Sequence, residues 1–117
     1  MLFQENIAIY VQIAGDIKEQ IISGRLHEGD RIGSVREYSL HYAVTALTIQ
    51  RTMALLESEG VIHTKKGVGS FVSDGAKEAL RSRMLGTAVR DFLTHMKNMG
   101  IQPEEIISLI KEGLCSE

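Results

Sequence analysis

The chain has a single cysteine, Cys115, so no internal disulfide framework can form and a reducing compartment is expected. No run approaches the roughly 20 consecutive apolar residues that a membrane-spanning helix needs. The opening segment, MLFQENIAIYVQ, lacks the basic start and apolar core of a signal peptide. No membrane partner and a cytoplasmic location are therefore the expectations. Positive charge is also in short supply: 13 Lys and Arg against 15 Asp and Glu leave a net charge of −2, so any affinity for nucleic acid has to come from local clustering. His27, His41, His63 and His95 lack the close-pair or i, i+4 spacing of a metal site. Gly67-Val68-Gly69 is followed by no GK[ST] and has no strand-loop-helix context, which argues against a nucleotide-binding loop. No nucleophile, base and orienter can be placed together. Neither a metal, a cofactor nor catalysis is expected.

What is present is the mix of a globular protein. With 44% apolar and 24% charged residues the chain is not of disordered composition, and 117 residues suffice for one compact domain with a short appendage. Tyr10, Ile13, Ile17 and Ile21 recur at three- and four-residue spacing, which predicts an amphipathic helix from Tyr10 to Ser23, closed by Gly24. Arg25 to Gly33, with Gly29-Asp30 inside it, reads as a turn-rich connector. Ser34-Val35-Arg36-Glu37 has the spacing of a capping box and predicts a second helix from Ser34 to about Tyr42. Only Ala43 and Val44 separate it from Thr45, a second N-cap candidate, and a third helix follows with Ile49, Met53 and Leu56 on its buried side and Gly60 at its end.

Two short helices joined by a tight turn, the second with polar residues near its start, form a helix-turn-helix pattern, although the turn lacks the glycine often found there. Val61 to Thr64 and Ser70 to Val72 are short β-favouring runs around the basic tip Lys65-Lys66-Gly67, which predicts a hairpin, or wing. Ser73-Asp74-Gly75 reads as a linker. Leu80, Met84, Leu85, Ala88, Phe92 and Met96 then mark a helix over Ala76 to Met99, stopped by Gly100. Pro103 opens a last helix whose Glu104 and Glu105 suit its N-terminal dipole. The expected fold is mostly α with a small β-hairpin: a winged helix-turn-helix at 1–75 and a two-helix tail at 76–117.

With its elements in this order, the sequence resembles the GntR family of bacterial regulators over residues 8 to 72. The resemblance is carried by Ile9-Tyr10-Val11-Gln12-Ile13, by Ile22-Ser23-Gly24-Arg25-Leu26 leading to Gly29-Asp30-Arg31-Ile32, by Ser34-Val35-Arg36-Glu37, by Leu56-Glu57-Ser58-Glu59-Gly60 and by Gly67-Val68-Gly69-Ser70-Phe71-Val72. The short tail is similar to that of the YtrA-like subfamily. This implies a homodimer held by the C-terminal helices, bound to double-stranded operator DNA with two-fold symmetry. It also implies a repressor, often of its own operon with ABC-transporter genes. Three departures stand out: Gly33 replaces a usual proline, Ala46 and Leu47 occupy positions that are commonly polar or basic, and Val68 replaces a frequent wing arginine. Their expected effect is on operator affinity and not on the fold.

The chemistry of the residues fits that implication. Thr45 and Thr48 are small polar residues at a helix N-terminus, whose free N–H groups favour phosphate oxygens. Gln50 can pair bidentately with adenine, Leu47 can touch a thymine methyl, and Arg51 can contact guanine or phosphate, or instead pair with an acid on its own helix. Arg36 resembles the family's DNA-contacting arginine, and its planar fork matches phosphate or a guanine edge. Lys65, Lys66 and Gly67 suit the minor groove or its flanking phosphates, the alternative being a solvated hairpin tip. Among residues 1 to 75 the remaining basic side chains are Lys18, Arg25 and Arg31, and the acids Asp16, Glu19, Glu57 and Glu59 are expected to lie mostly away from this side. A rival reading, supported by the net charge and the apolar Ala46-Leu47 pair, is a winged helix used for protein-protein contact. Met84, Met96 and Met99 with Phe92 suit dimer packing, or alternatively a small-molecule effector of unknown identity.

Overall fold

A computed structural model describes residues 1–116. Its elements are α1 (Ile9–Ile22), α2 (Val35–Tyr42), α3 (Ala46–Ser58), β1 (Ile62–Lys65), β2 (Gly69–Val72), α4 (Ala76–Asn98) and α5 (Pro103–Cys115). The order and types match the expected mostly α fold with one hairpin. Two compact units divide within α4, the first covering Met1–Arg81 and the second starting at Ser82.

In the first unit, α3 packs against both α1 and α2. The spacing that marks the inner side of α1 places Ile13, Ala14, Ile17 and Ile21 in a core shared with Ile49 and Leu56 of α3, Tyr42 of α2, and Val61, Ile62 and Val72 of the wing. Thr52 is the one buried polar side chain of this core among the described residues. Its hydroxyl hydrogen is shared between the carbonyls of Thr48 at 3.0 Å and Tyr10 at 3.1 Å, which fastens α3 to the start of α1. At the other end of α3, Lys18 of α1 pairs with Glu59 at 2.6 Å.

The turn between α2 and α3 has no glycine, and Ala43 takes the left-handed conformation in its stead, at φ 55°. Ser39 holds the turn from both sides: its carbonyl accepts from the Val44 N–H at 3.1 Å, and its hydroxyl donates to the Val44 carbonyl. α3 then ends in a Schellman motif, with Gly60 N donating to Glu57 O and Val61 N to Leu56 O, both at 3.0 Å.

β1 and β2 pair antiparallel with His63 opposite Phe71, Thr64 opposite Ser70 and Lys65 opposite Gly69. The connector Arg25 to Gly33 is more than a turn. Arg31 lies opposite Phe71 as a third, one-residue rung, fixed by Ile32 N to Ser70 O and Val72 N to Asp30 O, both at 2.9 Å. One buried apolar residue, Ile32, is too short an alternation to mark a strand in the sequence. The segment read as a linker is likewise a tight turn, Ala76 N to Ser73 O at 3.2 Å, after which Ala76 and Leu80 of α4 join the first unit's core.

The second unit consists of the rest of α4 and α5, joined by a turn in which Gly100 N donates to Lys97 O and Ile101 N to Met96 O. Ile106 is buried there, but Leu85, Val89, Ile107 and Ile110 remain 42–55% exposed and Leu114 76%. No helix among the described residues is long and apolar enough to cross a membrane.

Candidate nucleic-acid interface

The expected interface residues sit on three structural features of the first unit. The first is the start of α2. Ser34 Oγ accepts from Glu37 N at 3.1 Å while Ser34 N donates to Glu37 Oε1 at 3.0 Å, the reciprocal box that the sequence spacing predicts. The backbone hydrogen bond with Ser34 does most to hold the Glu37 carboxyl below its ordinary pKa, followed by the Ser34 hydroxyl, with a smaller part from the charge of Arg31. With Glu37 occupied by the cap, Arg36 beside it is exposed and makes no ion pair or hydrogen bond among the described residues.

The second feature is the N-terminal half of α3. Thr45 caps it, accepting from Thr48 N at 3.3 Å, and the two threonine hydroxyls lie 3.0 Å apart. With Ile49 and Thr52 buried behind, Ala46, Leu47, Gln50 and Arg51 form the exposed front. Successive residues on a helix point about 100° apart, and Gln50 and Arg51 accordingly part company. Gln50 lines a cleft with Arg31, Ser34, Glu57, Thr64 and Ser70, whereas Arg51 lies on a separate shallow surface beside Tyr10, Ala54 and Ser58. Arg51 pairs with no acid of its own helix among the described residues.

The third is the wing. Its tip closes through Val68 N to Lys65 O at 2.9 Å, with Gly67 at φ 76° and Lys66 and Gly67 both exposed. Lys65 belongs to the strand and not to the tip. Its ammonium lies 5.0 Å from the centre of the Phe71 ring, which also stacks on His63.

Two residues near these features escape the sequence reading. Glu57, counted among the acids lying elsewhere, lines the cleft and accepts from Thr64 Oγ1 at 3.4 Å. Seven positions after Gln50 it returns to the same face of α3, a signal the spacing does contain. Arg31 lines the same cleft, and nothing in its local sequence sets it apart from the other surface cations. Lys18 is spent on Glu59, and Arg25 donates to Ser23 Oγ at 3.2 Å. No cluster of His, Cys, Asp and Glu that could hold a metal occurs among the described residues.

A capped helix pair with an exposed second N-terminus, flanked by a basic hairpin, defines a winged helix-turn-helix protein of the DNA-binding class. The chain belongs to the gntR family of bacterial regulatory proteins, whose sequence model matches residues 9–72. It is 33% identical over 111 residues to the HTH-type transcriptional regulator YhcF of Bacillus subtilis, covering 93% of this chain and 92% of YhcF. It is 30% identical over 112 residues to the transcriptional repressor YtrA of the same organism, covering 93% of this chain and 86% of YtrA. Among solved structures, a GntR family transcriptional regulator from Listeria monocytogenes is similar with a TM-score of 0.89 and 32% identity, over 94% of this chain and 98% of that one. The DNA-binding domain of AraR in complex with operator ORX1 is similar over 62% of this chain and 93% of that one, with a TM-score of 0.56 and 26% identity. The relatives are transcription regulators and not enzymes.

Proposed function

We propose that this transcription regulator is a cytoplasmic homodimeric repressor that reads a palindromic operator. In this reading the start of α3 enters the major groove, with Thr45, Thr48, Gln50 and Arg51 toward bases and phosphates. Arg36 clamps the backbone, and Lys65, Lys66 and Gly67 lie over the neighbouring minor groove. Residues 76–117 are the dimerisation module and residues 1–75 are the reading head. The observation that carries the proposal is Arg36, unengaged among the described residues, beside a fully satisfied capping box: a guanidinium at a helix start with no ion pair or hydrogen bond among those residues is available to a phosphate or a guanine edge. The exposed apolar side chains of α4 and α5 support a second copy of this chain as their cover, since a surface of that kind is stabilised by burial. The repressor reading, and control of its own operon, are supported by the likeness to YtrA.

Fluorescence anisotropy tests this on a labelled duplex from the region upstream of the chain's own gene, against a scrambled duplex, at 50 and 200 mM salt. Four or five phosphate contacts per monomer give a fall in affinity of roughly three orders of magnitude or more across that range. Arg36→Ala should abolish tight binding with the thermal midpoint unchanged. Equal weak binding of both duplexes would count against an operator reader and favour the protein-contact alternative.

A further inference from the structure

We propose that Arg31 is an additional DNA contact, binding the backbone phosphodiester that runs between the groove read by α3 and the groove covered by the wing; this rests on the DNA-binding reading above. Its backbone is fixed as the third rung of the wing, opposite Phe71, so the base of the side chain does not drift. From there the side chain crosses β2 at Gly69. A Cβ at Gly69 would lie 2.7 Å from Arg31 Nε and 3.4 Å from Cζ, so the guanidinium stem occupies the space a side chain would need. Gly69 also has φ 146°, a conformation in which other residues are strained. Glycine at this position thus lets the wing strand and the arginine come together.

The arginine is exposed, lines the cleft together with Ser34 of the α2 cap and Gln50 of α3, and makes no ion pair or hydrogen bond among the described residues. Its charge is felt at the start of α2, where it adds to the Ser34 hydrogen bonds that chiefly keep the Glu37 carboxylate ionised. A duplex that admits α3 to its major groove and the wing tip to the adjacent minor groove presents, between them, the sugar-phosphate strand that separates the two grooves. The chemistry at this position is a planar cation on a fixed stem, which suits a phosphodiester and carries no base information.

The test uses the intact protein with the upstream and scrambled duplexes over 50 to 200 mM salt. For Arg31→Ala, affinity for both duplexes is expected to fall by the same factor, roughly tenfold to a hundredfold. The log-affinity against log-salt slope should drop by about 1.8 for a dimer that loses two phosphate contacts. Arg31→Lys should recover the slope, because the charge remains. Thermal midpoints of both variants, matching the unsubstituted protein, exclude loss of fold as the cause. An unchanged slope in Arg31→Ala overturns the proposal, and so does a loss confined to the upstream duplex, which would mark Arg31 as a base reader. If the unsubstituted protein shows no preference for the upstream duplex, the operator reading falls as well. A preserved preference with an unchanged slope removes only the role of Arg31.

Discussion

The phenolic oxygen of Tyr42 lies 2.6 Å from Asp16 Oδ2 and donates its hydrogen to it, joining the last residue of α2 to the middle of α1 across 26 positions of sequence. Gln20 donates to the same carboxylate oxygen at 3.3 Å, so the acid is shared by both helices. Burial is the largest cause of the raised Tyr42 pKa, followed by the hydrogen bond to Asp16 and its charge. Because the folded pKa is raised, the linked stability is complete below the ordinary tyrosine value of 10.0 and is lost as pH climbs from there toward the folded value. Tyr42→Phe is expected to lower stability by about 1–2 kcal/mol at neutral pH and to flatten the loss of stability above pH about 10. Urea melts of both proteins from pH 7 to 11 check this. An equally steep alkaline loss in the variant would assign it to other groups, Tyr38 among them.

Ala43→Gly should stabilise the protein. Ala43 is the one residue other than glycine at positive φ among those described. A left-handed alanine costs roughly 1–2 kcal/mol, partly offset by the greater freedom glycine has in the unfolded chain. A net gain of about 0.5–1 kcal/mol is expected by chemical denaturation. DNA affinity should stay unchanged, since the turn keeps its conformation. A loss of stability would show that the Ser39 clamp relies on the alanine methyl.

Gly33 and Tyr38 form a complementary pair. A Cβ at Gly33 would sit 2.9 Å from Tyr38 Cε1 and 3.0 Å from Cζ, while the Tyr38 ring also packs on Tyr42 with centres 5.8 Å apart. The tyrosine thus occupies the room that a side chain at position 33 would take. Gly33→Ala is expected to cost about 1–2 kcal/mol, and this cost should vanish in a Tyr38→Ala background. A double-mutant cycle measures the coupling; additive effects would mean that the ring yields freely.

Val89→Asp tests the proposed dimer. Val89 is 55% exposed on α4, so the substitution leaves the core of one chain intact. A carboxylate placed in an apolar contact between copies is costly. If the proposed dimer forms, sedimentation should show a dimer for the unsubstituted protein and a monomer for the variant, and affinity for a palindromic duplex should fall by more than about a hundredfold, because each monomer then binds alone. A variant that remains dimeric would put the contact elsewhere on the chain.

Much of the fold was legible because local rules decide it. The period of Tyr10, Ile13, Ile17 and Ile21 marks the inner side of α1, and the Ser34–Glu37 spacing is the capping box itself. The β-favouring runs give the wing to within one residue at each strand. What escaped was short or long-range. The rung at Arg31 has no alternation to announce it, and the cation-π placement of Lys65 depends on the register with Phe71. Residues 50 and 51 are equally polar neighbours, and only the packing of Ile49 and Thr52 decides which flank each one occupies.

The sequence by itself determined the order of elements, their caps and the family, because periodicity, capping and turn chemistry act between residues a few positions apart. Only the tertiary structure decided which charges are committed and which are available. Lys18 and Glu59 meet at 2.6 Å across 41 positions, while Arg31 and Arg36 remain without an ion pair among the described residues. The physical reason is that pairing depends on distances between side chains on different elements, and those distances exist only once the shared core of α1, α3 and the wing has closed.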